Sequence, residues 1–110
     1  MNFQHKELAQ GRWAQMPFVE QMANVGSEIS RALNWQKKGN AEFSRNAANR
    51  ALELLFLTID SVKVPSHYKE LTRLHEVIVD YFYGENTFSS SEKVWRHYFD
   101  GFAYAARKDH

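Results

Sequence analysis

The segment that most constrains this chain runs from Asn40 to Val62 and is apolar over most of a helical surface. At 100° per residue its apolar side chains cover about two-thirds of the circumference; they are Phe43, Ala47, Ala48, Ala51, Leu52, Leu54, Leu55, Ile59 and Val62. A helix of that kind needs cover on several sides. The sequence therefore predicts a central helix, capped by Asn40, with other helices packed around it.

A first helix is predicted ahead of this one, from Pro17 to near Gly39. Proline suits the start of a helix and glycine its end. The apolar residues between them recur with the period of one helix face, at Phe18, Met22, Val25, Ile29 and Leu33. Gly26 falls on the same face, which indicates close packing of another helix there.

Two more helices are predicted after the central one. The third follows Pro65, has Ser66 as its predicted cap and ends at Gly84. The fourth begins where Ser89 and Glu92 stand at capping-box spacing. Their apolar stripes are Leu71, Leu74, Ile78 and Phe82 in the third helix, and Val94, Trp95, Tyr98, Phe99, Phe102 and Ala106 in the fourth.

Four helices joined by short turns are antiparallel neighbours, so the predicted fold is an all-α, up-and-down four-helix bundle. We expect one domain over residues 1–110, with 1–15 either loose or a short extra helix because Gly11 interrupts the pattern. The residues predicted to be nearly fully buried are Leu55, Ile59, Leu74, Ile78, Phe99 and Phe102.

The composition excludes several classes of protein. The chain has no cysteine, which excludes disulfides, thiolate catalysis and cysteine-based zinc sites and fits a reducing compartment. No apolar run has the length of a signal-peptide core or a membrane span. The net charge of +1 gives no global attraction to nucleic acid. These features predict a soluble cytoplasmic protein that does not bind membranes.

The hairpin between the first two predicted helices has a recognisable order of features over roughly residues 28 to 82. They are a helix ending in a Gly-containing turn, an aromatic residue, the run "RNAANRAL" from Arg45 to Leu52 and a later Leu-rich helix. This order resembles the HEPN domain family. The resemblance implies a HEPN-like helical bundle. It also implies dimerisation, pairing with a partner protein, or contact with a nucleotide or RNA.

The sequence departs from this family at its nuclease motif. Ribonuclease members carry an Arg followed, after four to six residues, by a His, and no histidine here has an arginine at that spacing. The expected function is therefore a non-catalytic helical binding module, and the alternative is a divergent HEPN-type ribonuclease or another small enzyme. A single tetratricopeptide-like unit, suggested by Trp35, Gly39 and Ala51, would not make a domain alone.

Metal and cofactor sites are not expected. On the third predicted helix His75, Glu76 and Asp80 are of metal-ligand type, but His75 lies about 100° from Glu76, on the flank of the apolar stripe. A core histidine with one hydrogen-bond partner, beside a solvated salt-bridged face, explains this pattern. No serine stands in a nucleophile turn either.

The back of the fourth predicted helix is the candidate surface for phosphates. It gathers cations with one aromatic residue and Asp100 in one arc, which could contact nucleic acid or could be an ordinary solvated face. The candidate contact residues are Lys93, Arg96, His97, Tyr104, Arg107 and Lys108.

Two large apolar side chains flank the hairpin outside its core direction. Trp35 lies off the stripe of the first helix, and Phe56 borders the polar edge of the central helix. Either the N-terminal segment or a second subunit would have to cover them. We expect a homodimer whose interface includes Trp35 or Phe56.

Overall fold

A computed structural model describes residues 6–108, with side chains from residue 11 onward. This part of the chain is all-helical, as predicted, and contains five helices. They are α1 (Lys6–Gln15), α2 (Phe18–Lys37), α3 (Ala41–Ser61), α4 (Pro65–Tyr83) and α5 (Glu92–Lys108). Helices α2 to α5 correspond to the four predicted ones, and α1 covers the described part of the N-terminal segment, while residues 1–5 of the predicted loose or helical stretch lie outside the described residues.

Helix α3 lies at the centre, as the breadth of its apolar surface predicts. It packs against α1, α2 and α4, while α5 packs against α2. The backbones of α4 and α5 lie farther apart than those of the packed helix pairs. Across this gap Tyr81 of α4 packs edge-on against Trp95 of α5, with their ring centroids 6.0 Å apart. The two outer helices therefore flank a surface depression.

The turn between α2 and α3 is built as the sequence indicates. Gly39 has a φ of +78°, a conformation that favours glycine. The side chain of Asn40 accepts a hydrogen bond from the Phe43 backbone N–H at 3.0 Å, which caps α3. Ser44 donates to the carbonyl of Ala32 at 2.8 Å, so the two helices are also joined along their length.

Small residues bring the helices close together. Ala47, Ala48 and Ala51 are fully buried on α3. A Cβ placed on Gly26 of α2 would lie 2.8 Å from the Cβ of Phe99 on α5, nearer than such atoms approach in proteins. The expectation of close packing at Gly26 is confirmed, and its partner is α5.

Two predicted helix starts are wrong. Helix α4 begins at Pro65, with Val64 rather than Ser66 at its N-cap, because the fixed φ of proline already suits the first turn. In α5 the cap is Ser91, whose Oγ accepts from the Val94 N–H at 3.2 Å. Ser89 instead has a φ of 56° inside the preceding loop.

Most of the predicted core is confirmed. Four of its residues are buried, namely Leu55, Leu74, Ile78 and Phe99. Ile59 and Phe102 are only partly buried, contrary to expectation. Ile59 lies in the last turn of α3, and Phe102 contacts Phe18, the first residue of α2, so each lies at an end of the core.

Helix α1 supplies a tryptophan to the same core. Trp13 is buried, and its indole N–H donates to the hydroxyl of Thr58 on α3 at 2.8 Å. Gln21 of α2 is buried beside it and donates to the Trp13 carbonyl at 2.7 Å. These contacts fix the C-terminal end of α1 against α2 and α3.

Candidate functional site

An apolar groove lies between α4 and α5, where the two helices are held apart. Its volume is about 210 Å³, and its wall is mostly hydrocarbon. The apolar lining residues are Leu74, Val77, Val94, Trp95 and Tyr98. One of these lining residues, Val94, has 57% of its surface exposed. A hollow and an exposed apolar side chain therefore lie together on one surface.

The rim of this groove, formed by Glu70, Arg73 and Ser90, is polar. Glu70 and Arg73 lie one turn apart on α4, yet no ion pair joins them in the described part of the chain. Arg73 instead lies over the ring of Phe88, 5.3 Å from its centroid. The rim thus presents one acid and one base of equal and opposite charge.

Tyr98 connects the two sides of the groove. Its hydroxyl donates to the Glu70 carboxylate at 2.6 Å. Burial raises the pKa of Tyr98, and the hydrogen bond and charge of Glu70 raise that pKa further, so the phenol keeps its proton and remains a donor. Only one carboxylate oxygen is used in this way.

The buried wall contains Trp95, whose indole nitrogen has no hydrogen-bond partner among the described residues. Its ring is 3% exposed and packs against Tyr81 and Phe99. The indole of Trp95 is therefore packed among aromatic side chains. The groove that it lines is mostly apolar.

On the back of α5, Arg96 connects two helices. Its guanidinium donates to Glu92 at 3.0 Å, to Ser30 at 2.9 Å and to Asn34 at 2.8 Å, and the last two lie on α2. Glu92 also pairs with Lys37 at 3.2 Å. The hydrogen bonds that Glu92 accepts from Arg96 and Lys37 lower the pKa of its carboxyl. Three protein acceptors thus hold the guanidinium that the sequence assigns to phosphate contact.

The other predicted contact residues on α5 lie at the surface. They are Lys93, His97, Tyr104, Arg107 and Lys108. Lys93, Arg96 and His97 line a shallow depression with Glu92 and Asp100. Within the described residues no hydrogen bond joins His97 to Asp100, so this depression lacks an oriented acid–base pair.

The predicted interface residues have different surroundings. Trp35 is half-buried, because Phe43 packs edge-on against it at 4.8 Å and Lys38 lies over its ring at 5.0 Å. Residues of the hairpin itself therefore cover part of Trp35. Phe56 remains 46% exposed on α3.

The polar side of the hairpin contains a buried carboxylate shared by two arginines. Glu28 of α2 is 7% exposed. One of its oxygens pairs with Nη1 of Arg31, and the other pairs with Nε of Arg50 on α3 at 2.7 Å. Both arginine side chains remain more than half exposed, at 61% and 53%.

The metal-ligand types on α4 do not converge in the structure. Asp80 turns to the following loop, where it accepts from the backbone N–H groups of Thr87 and Phe88. His75 is half-buried, and no hydrogen bond reaches it from the described side chains. No three His, Asp or Glu residues between positions 11 and 108 are grouped as metal ligands.

Comparison with known proteins identifies no relative. A scan against family models and searches of curated proteins and solved structures each found no match. None of the described helices is long and apolar enough to cross a membrane.

Two features were missed by sequence reasoning. The groove between α4 and α5 depends on how far apart those helices lie, which apolar periodicity does not encode. The ion pair between Glu28 and Arg50 joins α2 to α3, and the two residues are 22 positions apart in the sequence. The spacing of Glu28 and Arg31 on one helix face was the available signal, because it brings an acid and a base together.

Proposed function

We propose that this protein is a non-catalytic helical interaction module that works as a homodimer, with the α4–α5 groove as its interface. The observation that carries the proposal is the hollow beside the exposed Val94 on one surface, rimmed by an unpaired acid and base. A two-fold interface uses the same patch on both subunits and must be self-complementary. This patch offers an apolar group, a hollow and two opposite charges.

The charges support a second copy as the occupant of the groove. Across a two-fold axis Glu70 of each subunit can face Arg73 of the other, so that the ion pair forms twice in the dimer. A partner of uniform charge would leave one of these residues without a counter-ion at the interface, at a cost in affinity. If each Val94 inserted into the groove of the other subunit, exposed apolar surface would be removed from water in both subunits.

The resemblance to the HEPN family supports the same function. Members without the Arg and His nuclease pair keep the bundle and its assembly role, and we infer that α2 to α5 form such a four-helix arrangement with α1 added. The absence of cysteine supports a cytoplasmic location. The alternative, a divergent ribonuclease, is less well supported because Arg96 is held by protein acceptors and His97 has no hydrogen-bond partner among the described side chains.

Sedimentation equilibrium measures the mass directly. The monomer is 12.9 kDa, and we expect a mass that rises toward twice this value with concentration. Val94→Glu should give a folded monomer, because a charge would be buried in the opposite groove. Val64→Glu is the matched control, since Val64 is comparably exposed but lies between α3 and α4, outside the groove.

Charge exchange tests the pairing of Glu70 with Arg73. Glu70→Arg and Arg73→Glu should each be monomeric, because like charges would meet across the axis. An equimolar mixture of the two variants should form a heterodimer, since each charge then meets its opposite. A monomeric wild type would contradict the proposal. So would a dimer that survives Val94→Glu but dissociates in Phe56→Glu, which would favour the interface predicted from the sequence.

A further inference from the structure

Glu28, Arg31 and Arg50 form a cluster on the side of the hairpin away from α5. Ser30 and Asn34, the α2 residues that bind Arg96 of α5, have no hydrogen bond to this cluster among the described residues. The cluster also lies outside the α4–α5 groove. Its function can therefore be considered independently of dimer formation.

The buried carboxylate holds both guanidinium groups in place. The Glu28 side chain is 10% exposed and uses one oxygen for each arginine. Because the two oxygens belong to one carboxylate, the two guanidinium groups lie close to each other at the surface. Burying a carboxylate costs free energy, which a pair of charged hydrogen bonds can offset.

Most N–H donors of these two arginines face solvent. Arg31 uses Nη1 and Arg50 uses Nε, and neither has another protein acceptor among the described side chains. Arg96 differs, because three acceptors on two helices occupy its guanidinium. Each planar guanidinium group presents a fork of N–H donors. Two such groups, held in place and with donors facing solvent, are suited to binding an oxyanion.

We propose that Arg31 and Arg50, positioned by the buried carboxylate of Glu28, form a binding site for a phosphate group, either free or as a monoester. Two positive charges around one negative charge leave the cluster with a net charge of +1, which attracts an anion. A phosphate group offers three oxygens and nearly two negative charges, so it can accept hydrogen bonds from both forks. A free carboxylate has fewer acceptors and less charge.

The aromatic pair next to the cluster indicates where a larger ligand would extend. Trp35 follows Arg31 by four positions on α2 and is therefore its surface neighbour. Phe43, packed against Trp35, is 45% exposed. A nucleobase attached to the bound phosphate could stack there, whereas free phosphate would use only the arginines.

Calorimetric titration with inorganic phosphate, at constant ionic strength, tests the site on the full chain. We expect a dissociation constant on the order of 1 mM, which is typical of an exposed small-anion site of modest free energy. Titration with adenosine monophosphate separates the two sources of the phosphate group. Affinity roughly tenfold higher supports a nucleotide, since one stacked base contributes this much, and equal affinity supports free phosphate.

The variant Arg31→Lys/Arg50→Lys keeps both charges but removes the planar forks. It should remain folded, as judged by circular dichroism, and lose at least about tenfold in phosphate affinity. Arg45→Lys is the matched control, because Arg45 is an exposed arginine of the same helix that forms no ion pair in the described part of the chain. Its phosphate affinity should equal that of the wild type.

Glu28→Gln distinguishes a positioned pair of arginines from simple attraction by charge. The substitution raises the local net charge, yet we expect weaker phosphate binding because the forks lose the carboxylate that holds them. Stronger binding in Glu28→Gln would overturn the positioning role. Absence of phosphate binding by the wild type, or equal loss in the Arg45→Lys control, would overturn the site.

Discussion

At the scale of single residues, Asp80 shows how one side chain orders a loop. Its carboxylate accepts the backbone N–H groups of Thr87 at 2.8 Å and Phe88 at 3.0 Å. Asn86 and Ser90 close the same loop through two further hydrogen bonds. The hydrogen bond from Phe88 is the main cause of a lowered pKa at Asp80. This residue therefore connects the end of α4 to the start of α5.

The lowered pKa predicts how stability changes with pH. The ionised carboxylate is favoured in the folded state, so its contribution is complete above the unfolded pKa and is lost as the pH falls through the folded pKa. Asp80→Asn should lower the thermal midpoint of unfolding at pH 7. Below roughly pH 4 the midpoint of this variant should decrease less with falling pH than that of the wild type.

The control for this prediction is Asp100→Asn on α5, an exposed aspartate without a hydrogen bond among the described residues. Its melting curves should follow those of the wild type at neutral pH. Equal midpoints for Asp80→Asn and the wild type at every pH would show that the loop does not depend on this carboxylate.

At the scale of helices, α5 combines an apolar face with a basic one. Trp95 and Phe99 are buried in the core, and Arg96 anchors the polar side to α2. The other basic side chains of this face are exposed to solvent, and the acidic Asp100 lies between them. Arg96 uses donors for these protein contacts, so less of its guanidinium is available at the surface than the sequence suggests.

We predict that this surface retains RNA only weakly and only at low salt, because exposed charges are screened at physiological ionic strength. Lys93→Glu/Arg107→Glu should abolish retention of a single-stranded oligonucleotide in a filter-binding assay at low ionic strength. Arg96 is left intact in this variant so that α2 and α5 stay connected. If the wild type retains no oligonucleotide under these conditions, the basic face is an ordinary solvated surface.

At the scale of the whole molecule, α3 holds the fold together because it contacts α1, α2 and α4. Leu55 lies at the middle of its buried face and is fully enclosed. Packing at that position depends on the neighbouring helices at once, so the fold should be most sensitive to mutation there.

Leu55→Ala should lower the free energy of unfolding by roughly 2 to 5 kcal/mol, because it removes buried methyl groups and leaves a cavity. Chemical denaturation followed by circular dichroism measures the change. Val64→Ala, at an exposed position, should alter stability by less than about 0.5 kcal/mol. A Leu55→Ala variant as stable as the wild type would contradict the central placement of α3.

Most of the helices, and most of the residues they bury, were predictable from the amino-acid sequence. Apolar periodicity, Gly39 and Asn40 are local signals, and the spacing of three or four residues encodes which side of a helix faces the core. The cap of α3, the close packing at Gly26 and the burial of Leu55 and Phe99 were predictable for that reason.

Which polar side chains are available at the surface depends on tertiary contacts that the sequence does not reveal. Arg96 and Arg50 look alike in the sequence, yet Arg96 is held by acceptors on α2 while Arg50 keeps most of its donors in solvent. The difference arises from contacts between helices far apart in the chain. The α4–α5 groove arises in the same way, because the distance between two helices depends on every side chain packed between them.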